Sequence, residues 1–532
     1  MALGLDGFKE TATVQTLFMS DTQSNNRRIA KNTLLLYFRM LFTMAVSLYT
    51  SRVVLETLGV DDYGIYNVVG GVVAMFSVLS GSLSSAISRF ITFELGRGDQ
   101  NKLKVIFSTS VSIQIVLALG IWVIAEIAGV WFLNSQMNIP QERIVAANWV
   151  LQCSIITFMI NLISVPYNAT IIAHEKMSAF AYISILEVSL KLIVAYLLYV
   201  SSYDKLVVYA ILLMLVALLI RLVYGVYCKR HFEEARYRIM WRKDIFKEML
   251  GFAGWNFFGN ACYLVNTQGV NMLINIYFGV AMNAARGIAV QVDGAILGFV
   301  GNFMTAVQPQ ITKAYASGDL SYMFKLVNKG TKFSFYIMCF LMIPVLLETD
   351  TILNIWLKNV PSDSAIFLRL VLFASMANAL GNVLYYAIIS TGDIKKYQLV
   401  VTSVGFLVFP LTWVAFVLGA HAATTYIIFG IVYLFLNVIR LRFLKSMLGF
   451  PVMRYVKEVI LPVLIVGSAS VIMPLILVYF ISPSILRFIL VTIISIMSTS
   501  CCVYLFGLTK GERSMVVNKV NTVVFKIVRK WI

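Results

Sequence analysis

The chain repeats itself at an offset of 220 residues while staying apolar almost throughout. Laid over 279–323 without a gap, residues 59–103 match at recurring positions. Gly59-Val60 fall on Gly279-Val280, Val72 on Val292, Gly81 on Gly301 and Ala86 on Ala306. Ile91-Thr92 fall on Ile311-Thr312, and Gly98-Asp99 on Gly318-Asp319. Each half therefore holds a helix pair closed by the same short Gly-Asp turn. A doubled apolar bundle reads first as a transporter, because substrate sites tend to lie between repeats.

At 532 residues, 60% hydrophobic and 13% charged, with a mean hydropathy of +0.84, the chain departs from ordinary soluble proteins, which are about 25% charged. Apolar runs long enough to cross a bilayer alternate with short charged loops. They predict fourteen spans: 32–55, 64–92, 105–133, 145–172, 177–200, 206–228, 249–278, 280–311, 328–349, 364–390, 398–420, 422–443, 458–481 and 485–507. Segments this long are helices, since a barrel strand needs only about ten residues. The expected fold is an all-α polytopic membrane protein.

The formal charge of +18 would fit a nucleic-acid binder, but its distribution does not. With the N-terminus in the cytoplasm, most of the 43 Lys and Arg fall in the termini and inward loops. The outward side receives only Arg52, Arg143, Lys205, Lys358, Arg369 and Arg487. That asymmetry is the positive-inside pattern; it sets both termini in the cytoplasm and removes the case for nucleic acid. Trp131, Trp149 and Trp356 at outward ends, and Trp241, Trp255 and Trp531 at inward ends, read as interface anchors.

Spans 1–6 and 7–12 form two repeats of the same orientation, because six is even. The expected layout is a cytoplasmic tail (1–28), a first lobe (29–228), an inter-lobe loop (229–248), a second lobe (249–445), two appended helices (446–508) and a basic segment (509–532). No secretory signal opens the chain, and residues 1–18 read as a tail or as lying upstream of the natural start at Met19. In the last segment Val516, Val520, Val523, Val524, Ile527 and Trp531 share one helical side, with Lys519, Lys526 and Lys530 beside it. That pattern suits the surface of an anionic inner leaflet, or a solvated tail.

Ionisable groups inside spans are few and therefore informative. Arg39 lies about 12 Å into span 1 at 1.5 Å per residue. It shares an arc with Asn32, Thr43, Ser47 and Thr50. The counterpart, span 7, carries Asn256, Asn260, Thr267, Asn271 and Asn275 on one side. These stripes line a weakly cationic cleft if they face each other; the competing reading is that Asn and Thr join helices within a lobe. Span 2 adds Ser77, Ser80, Ser84 and Ser88, with Arg89 at the inner end, and lumen lining and close helix packing both fit it. Span 8 holds Arg286 and Asp293 on nearly one face, about 10 Å apart. Asp293 can bind a proton or Na⁺, or hydrogen-bond to a neighbouring helix. Glu187 and Lys191 in span 5 are spaced to neutralise one another, and Glu126 in span 3 reads as interfacial.

Enzymatic signatures are missing. There is no phosphate-binding loop motif, the three His are scattered one per loop, and the six Cys show no ligand spacing. No metal site, no organic cofactor and no catalytic residue is expected.

The chain resembles the multidrug/oligosaccharidyl-lipid/polysaccharide exporters, and within them the Wzx-type flippases. The likeness rests on the two six-helix lobes plus two helices and on Asn25-Asn26-Arg27-Arg28-Ile29-Ala30-Lys31-Asn32-Thr33 entering span 1. It rests also on Leu58-Gly59-Val60-Asp61-Asp62-Tyr63-Gly64-Ile65-Tyr66, then Ser88-Arg89-Phe90 and Glu94-Leu95-Gly96-Arg97-Gly98-Asp99. The resemblance implies a MATE-like V-shaped bundle in the bacterial cytoplasmic membrane, with a cavity that opens alternately to either side. The implied cargo is an oligosaccharide on undecaprenyl pyrophosphate, an O-antigen, capsule or exopolysaccharide unit, passed on to polysaccharide polymerase or assembly machinery. By position Arg39, Arg89 and Arg286 are the implied lipid-phosphate contacts, and Asp293 the implied site of H⁺ or Na⁺ coupling. The alternatives are a cation-coupled drug or metabolite exporter, a peptidoglycan precursor flippase, and a membrane-embedded glycan polymerase or ligase, which the short outward loops disfavour.

Overall fold

In hydrocarbon there is no water to bond the peptide groups, and an α-helix satisfies them within one segment. The computed structural model describes residues 28–47, 49–50, 53–54, 56–59, 62, 65–66, 69, 77–135, 139–238, 242–357, 360–514 and 517. The N-terminal tail, Arg52, the Val60, Asp61, Tyr63 and Gly64 of the span 1–2 motif, Trp241, Lys358, and most of the basic C-terminal segment lie outside the described residues. Among those described, every regular element is helical. Twelve helices among the described residues are long and apolar enough to cross a membrane. They overlap spans 1, 3–6 and 8–14, span 1 being described as a candidate over Arg28–Ser47 and span 8 over Ala285–Ala316. Span 2 is described over Ser77–Arg97, and span 7 occupies the first part of a helix assigned as Lys243–Ala316. The chain is a multi-pass, all-α membrane protein.

The repeat is written into the backbone. Helix Lys243–Ala316 breaks at Gly279, where φ is 81° and ψ −176°. Its repeat partner Gly59 has the same φ of 81°, and Gly98 and Gly318 have 79° and 80°. A Cβ added at any of the four would meet nothing within 4 Å. The backbone angle, and not crowding, demands glycine there.

The chain divides into two compact units. One runs to Ala261 and adds Thr305–Asp319; the other takes Cys262–Met304 and everything from Leu320 onward. The first part of span 7 and the last part of span 8 therefore belong to the first unit, although by sequence they belong to the second repeat.

Within the first unit, spans 3–6 share an apolar core in which the Phe107 and Tyr167 rings meet edge to face at 5.1 Å. Span 3 widens into a π-bulge at Ala125–Gly129. Its Glu126 accepts a hydrogen bond from Gln152 Nε2 at 2.9 Å. The Glu187–Lys191 pair forms as expected, at 2.6 Å.

Within the second unit, 61% of the residues in the apolar stretch of span 9 and 56% of those in span 10 are buried, against 17% for span 14. The unit is thus built around spans 9 and 10, with the appended pair on its flank. That pair is pinned to span 9 at both ends. At one end Arg487 meets Glu348 at 2.7 Å, with side chains 10% and 0% exposed. Thr351 Oγ1 donates to the same carboxylate and Arg487 Nη1 donates to the Ile481 carbonyl. At the other, the buried Lys332 donates to the Gly507 carbonyl at 3.1 Å and to Glu512 at 3.3 Å.

Removing one partner of a buried ion pair strands the other, at a cost of about 3–5 kcal/mol, whereas replacing both with apolar groups costs far less. Glu348→Ala or Arg487→Ala should lower the unfolding temperature of the detergent-solubilised protein sharply. The Glu348→Leu/Arg487→Leu double variant should lie closer to the parent. Glu512 gives a pH signature outside the spans. Burial pushes its carboxyl up, but the Thr509 N–H and Lys332 outweigh this and hold it below its usual 4.5. A depressed carboxylate adds stability that is present above its unfolded value and lost as pH falls through the folded one. Thermal stability should be flat above about pH 5 and fall below it, and Glu512→Gln should flatten that fall.

Candidate functional site

Span 1 places its stripe unevenly. Asn32 and Thr50 are buried, at 6% and 9% exposure, and Asn32 Nδ2 donates to the Glu175 carbonyl at 3.3 Å. Arg39 and Thr43 are half-buried. The Arg39 guanidinium lies 4.5 Å from the centre of the Phe180 ring and donates to Ser184 Oγ at 3.4 Å. Thr43 Oγ1 turns back onto the Met40 carbonyl of its own helix at 3.0 Å.

The residues of span 7 split between the units. Asn256 is 1% exposed and donates to Ser85 Oγ at 3.3 Å; Asn260, which is exposed, donates to Ser82 Oγ at 3.0 Å. Cleft lining is corrected for Asn256. Its amide joins span 7 to span 2, because asparagines spaced four apart on one helix meet serines spaced three apart on the other. The serines concerned are Ser82 and Ser85, outside the Ser77/Ser80/Ser84/Ser88 face read from sequence. Asn275 has its side chain outside the described residues.

Arg89 is also covered, at 6% exposure. Its guanidinium sits among the rings of Phe90, Phe93 and Phe252, 4.8, 4.7 and 5.7 Å from their centres. Each such contact contributes about 0.5–2 kcal/mol. In this structure Arg89 fastens aromatic packing and presents no open face to a ligand.

The second unit gathers a polar cluster in mid-span. Arg286 Nη1 donates to Asn271 Oδ1 at 3.0 Å and Nη2 to the Thr267 carbonyl at 3.4 Å. Asp293, on the same helix, is 8% exposed; Ser375 of span 10 hydrogen-bonds to it, and its Oδ1 has no partner among the described residues. Tyr263 of span 7 and Tyr426 of span 12 lie close enough to feel the charges of both Arg286 and Asp293. The expected Arg286, Asp293 and Asn271 are thus brought into one neighbourhood. Sequence reasoning missed Tyr263, Tyr426 and Ser375, since an aromatic or a lone serine in a span carries no signal of its own. The cluster offers a guanidinium held by neutral acceptors, which suits an anion, and a buried carboxylate with a spare oxygen, which suits a proton or a small cation. Among the described residues no group of His, Cys, Asp and Glu could hold a metal ion.

No family model matches the chain. It is 20% identical over 297 residues to "Uncharacterized membrane protein EpsK" of Bacillus subtilis (strain 168). That match covers 55% of this chain and 58% of the relative, so the chain spans under two thirds of the curated relative's length. Among solved structures, it resembles a multidrug resistance MATE family transporter of the MOP superfamily in its outward-facing conformation. The TM-score is 0.69 and the identity 13%, over 79% of this chain and 95% of that one. A MATE structure in the straight conformation gives a TM-score of 0.69 at 14% identity, over 79% and 96%. A MOP superfamily transporter from Pyrococcus furiosus, described as having a binding pocket of reverse polarity that suggests a different function, gives 0.63 at 14% identity, over 79% and 95%. This multi-pass membrane protein has the fold of the MATE transporters of the MOP superfamily.

Proposed function

We propose that the chain is a flippase for lipid-linked oligosaccharide. It moves an undecaprenyl-pyrophosphate-linked repeat unit from the inner to the outer leaflet of a bacterial cytoplasmic membrane by alternating access, and performs no enzymatic step. The observation that carries this reading is the environment of Arg286. Inside a span, its hydrogen-bond acceptors are the neutral Asn271 side chain and the Thr267 carbonyl. A charge placed there at considerable cost calls for an anionic visitor, and a pyrophosphate supplies one. Arg39, beside Ser184 and Phe180, is a further candidate for phosphate contact in its own unit. Asp293 is the coupling group for H⁺ or Na⁺. Arg89 can join the phosphate contacts only in a conformation that uncovers it. Both termini lie in the cytoplasm on this reading, and the released glycan lipid passes to polysaccharide polymerase or assembly machinery. A peptidoglycan precursor carries the same pyrophosphate and is recognised by the same chemistry.

One observation favours a second reading. The buried Asp293 carboxylate would suit a cation-coupled drug or metabolite exporter, and the MATE fold is shared with a transporter described as a multidrug resistance protein. A pocket for cationic drugs, however, would place acids where this chain places arginines.

Deleting the gene in its host and labelling undecaprenyl-linked glycan by leaflet separates the two. A flippase leaves complete glycan lipid on the inner leaflet, and a drug exporter leaves the lipid exported and the cell drug-sensitive. In complementation, Arg39→Ala and Arg286→Ala should each abolish flipping with normal membrane insertion. A charged hydrogen bond of about 1.5–3 kcal/mol corresponds to a loss of roughly ten- to a hundredfold. Asp293→Asn should fail as well. Normal transport by all three variants rejects the cationic-site model.

A further inference from the structure

The turn after span 4, His174-Glu175-Lys176, gathers more polar contacts than a connection needs. Glu175 has φ of +58°, one of two non-glycine residues with positive φ among those described, and its side chain is 1% exposed. Its carboxylate accepts from Arg28 Nε at 2.9 Å, Lys313 Nζ at 2.7 Å and Gln310 Nε2 at 2.5 Å. Its main-chain oxygen accepts from Asn32. One residue thus ties the start of span 1 (Arg28, Asn32) to the end of span 8 (Gln310, Lys313). The turn is itself held from behind: His174 bonds to the buried Glu234 and stacks on Phe232 at 4.2 Å.

A second contact engages the same end of span 8. A Cβ on Gly96 in span 2 would stand 2.7 Å from Ala316 Cβ and 2.9 Å from the Lys313 carbonyl. The two helices approach there as only a glycine allows.

Span 8 is the helix that the compact units cut. Its residues up to Met304 belong to one unit and Thr305–Asp319 to the other. A carboxylate sealed among two cations and an amide is a poor choice for permanent packing, since apolar side chains of similar volume serve as well or better. It is a good choice for a contact that must open. The Arg28 and Lys313 side chains are 49% and 26% exposed, so water can take over their hydrogen bonds on separation. An apolar seam would instead expose its surface.

We propose that Glu175 is the latch of the cytoplasmic gate. Engaged, it holds the inner end of span 8 against span 1, span 2 and the 4–5 turn. Released, that end moves away from them and the cytoplasmic side opens. This rests on the alternating-access reading above.

The test uses the full-length protein in inside-out vesicles, with Ala316→Cys as reporter and a membrane-impermeant maleimide as probe. Labelling at position 316 is read by peptide mass, so the native cysteines stay in place. Glu175→Ala should raise the labelling rate about tenfold, a modest shift in a two-state equilibrium. Gly96→Leu should do the same while removing no charge. Exchanging the charges with Glu175→Lys and Lys313→Glu should bring the rate back toward the parent. Should Glu175→Ala fold poorly, Glu175→Gln with Gly96→Leu carries the test. Unchanged labelling in folded Glu175 and Gly96 variants overturns the latch.

Locking the gate supplies the second arm. Gly96→Cys with Ala316→Cys needs the helices to part by about 1 Å to reach a disulfide Cβ separation of about 3.8 Å. Oxidation should stop the appearance of glycan lipid on the outer leaflet, and dithiothreitol should restore it. Export that continues through the crosslink overturns the gate. The labelling arm involves no cargo, so a wrong cargo leaves it intact, and the two failures remain distinct.

Discussion

A charge inside hydrocarbon must find a partner there, and most of the fixed geometry of this protein follows from that demand. Helices are the common solution for the backbone, and they carry no information about which helix lies beside which. Neighbours are chosen by the few polar groups that cannot be left bare. Glu348 and Arg487 bring the appended helices to span 9. Arg440, in contact with Tyr397 Oη and Asn437 Oδ1, joins spans 11 and 12, and the Asn437 amide continues to Ala377 of span 10. Asn256 and Asn260 choose Ser85 and Ser82. Apolar contact fills the space between these points without specifying it, because lipid tails compete on equal terms.

The arginines divide by the company they keep. Arg143 sits between Asp62 and Asp204, and Arg487 is matched with Glu348. Both read as structural. Arg286 rests on amide and carbonyl oxygens, which hold a guanidinium in place without neutralising it. Arg89 lies in an aromatic cage. The same residue type thus does three different jobs, and only the partners that the fold brings to each arginine separate them.

Much of the architecture was legible in advance. The 220-residue offset foretold paired turns, and Gly59/Gly279 and Gly98/Gly318 share φ to within a degree or so. Apolar length located the helices, because their backbone need is local. The site was less legible. A helical wheel put Arg286, Asp293 and Asn271 in plausible places but could not say that Tyr263, Tyr426 and Ser375 complete the group, since those come from other helices. It placed Asn256 on a polar stripe and could not tell a lumen from a serine on span 2. The role of Glu175 left no trace in any pattern, because its partners stand more than 130 residues away on either side.

Span 9 has a consequence for how the protein is made. It enters the membrane carrying Lys332 near one end and Glu348 at the other, yet their partners Glu512 and Arg487 lie 180 and 139 residues further along the chain. At a synthesis rate of roughly 5–20 residues per second, those charges wait on the order of ten seconds or more for neutralisation. During that interval span 9 is a poor resident of lipid, and must be sheltered by the insertion machinery or by spans already in place. Docking of spans 13 and 14 is thus the step that neutralises span 9: a nascent chain that stops short of them leaves Lys332 without Gly507 and Glu512, and Glu348 without Arg487.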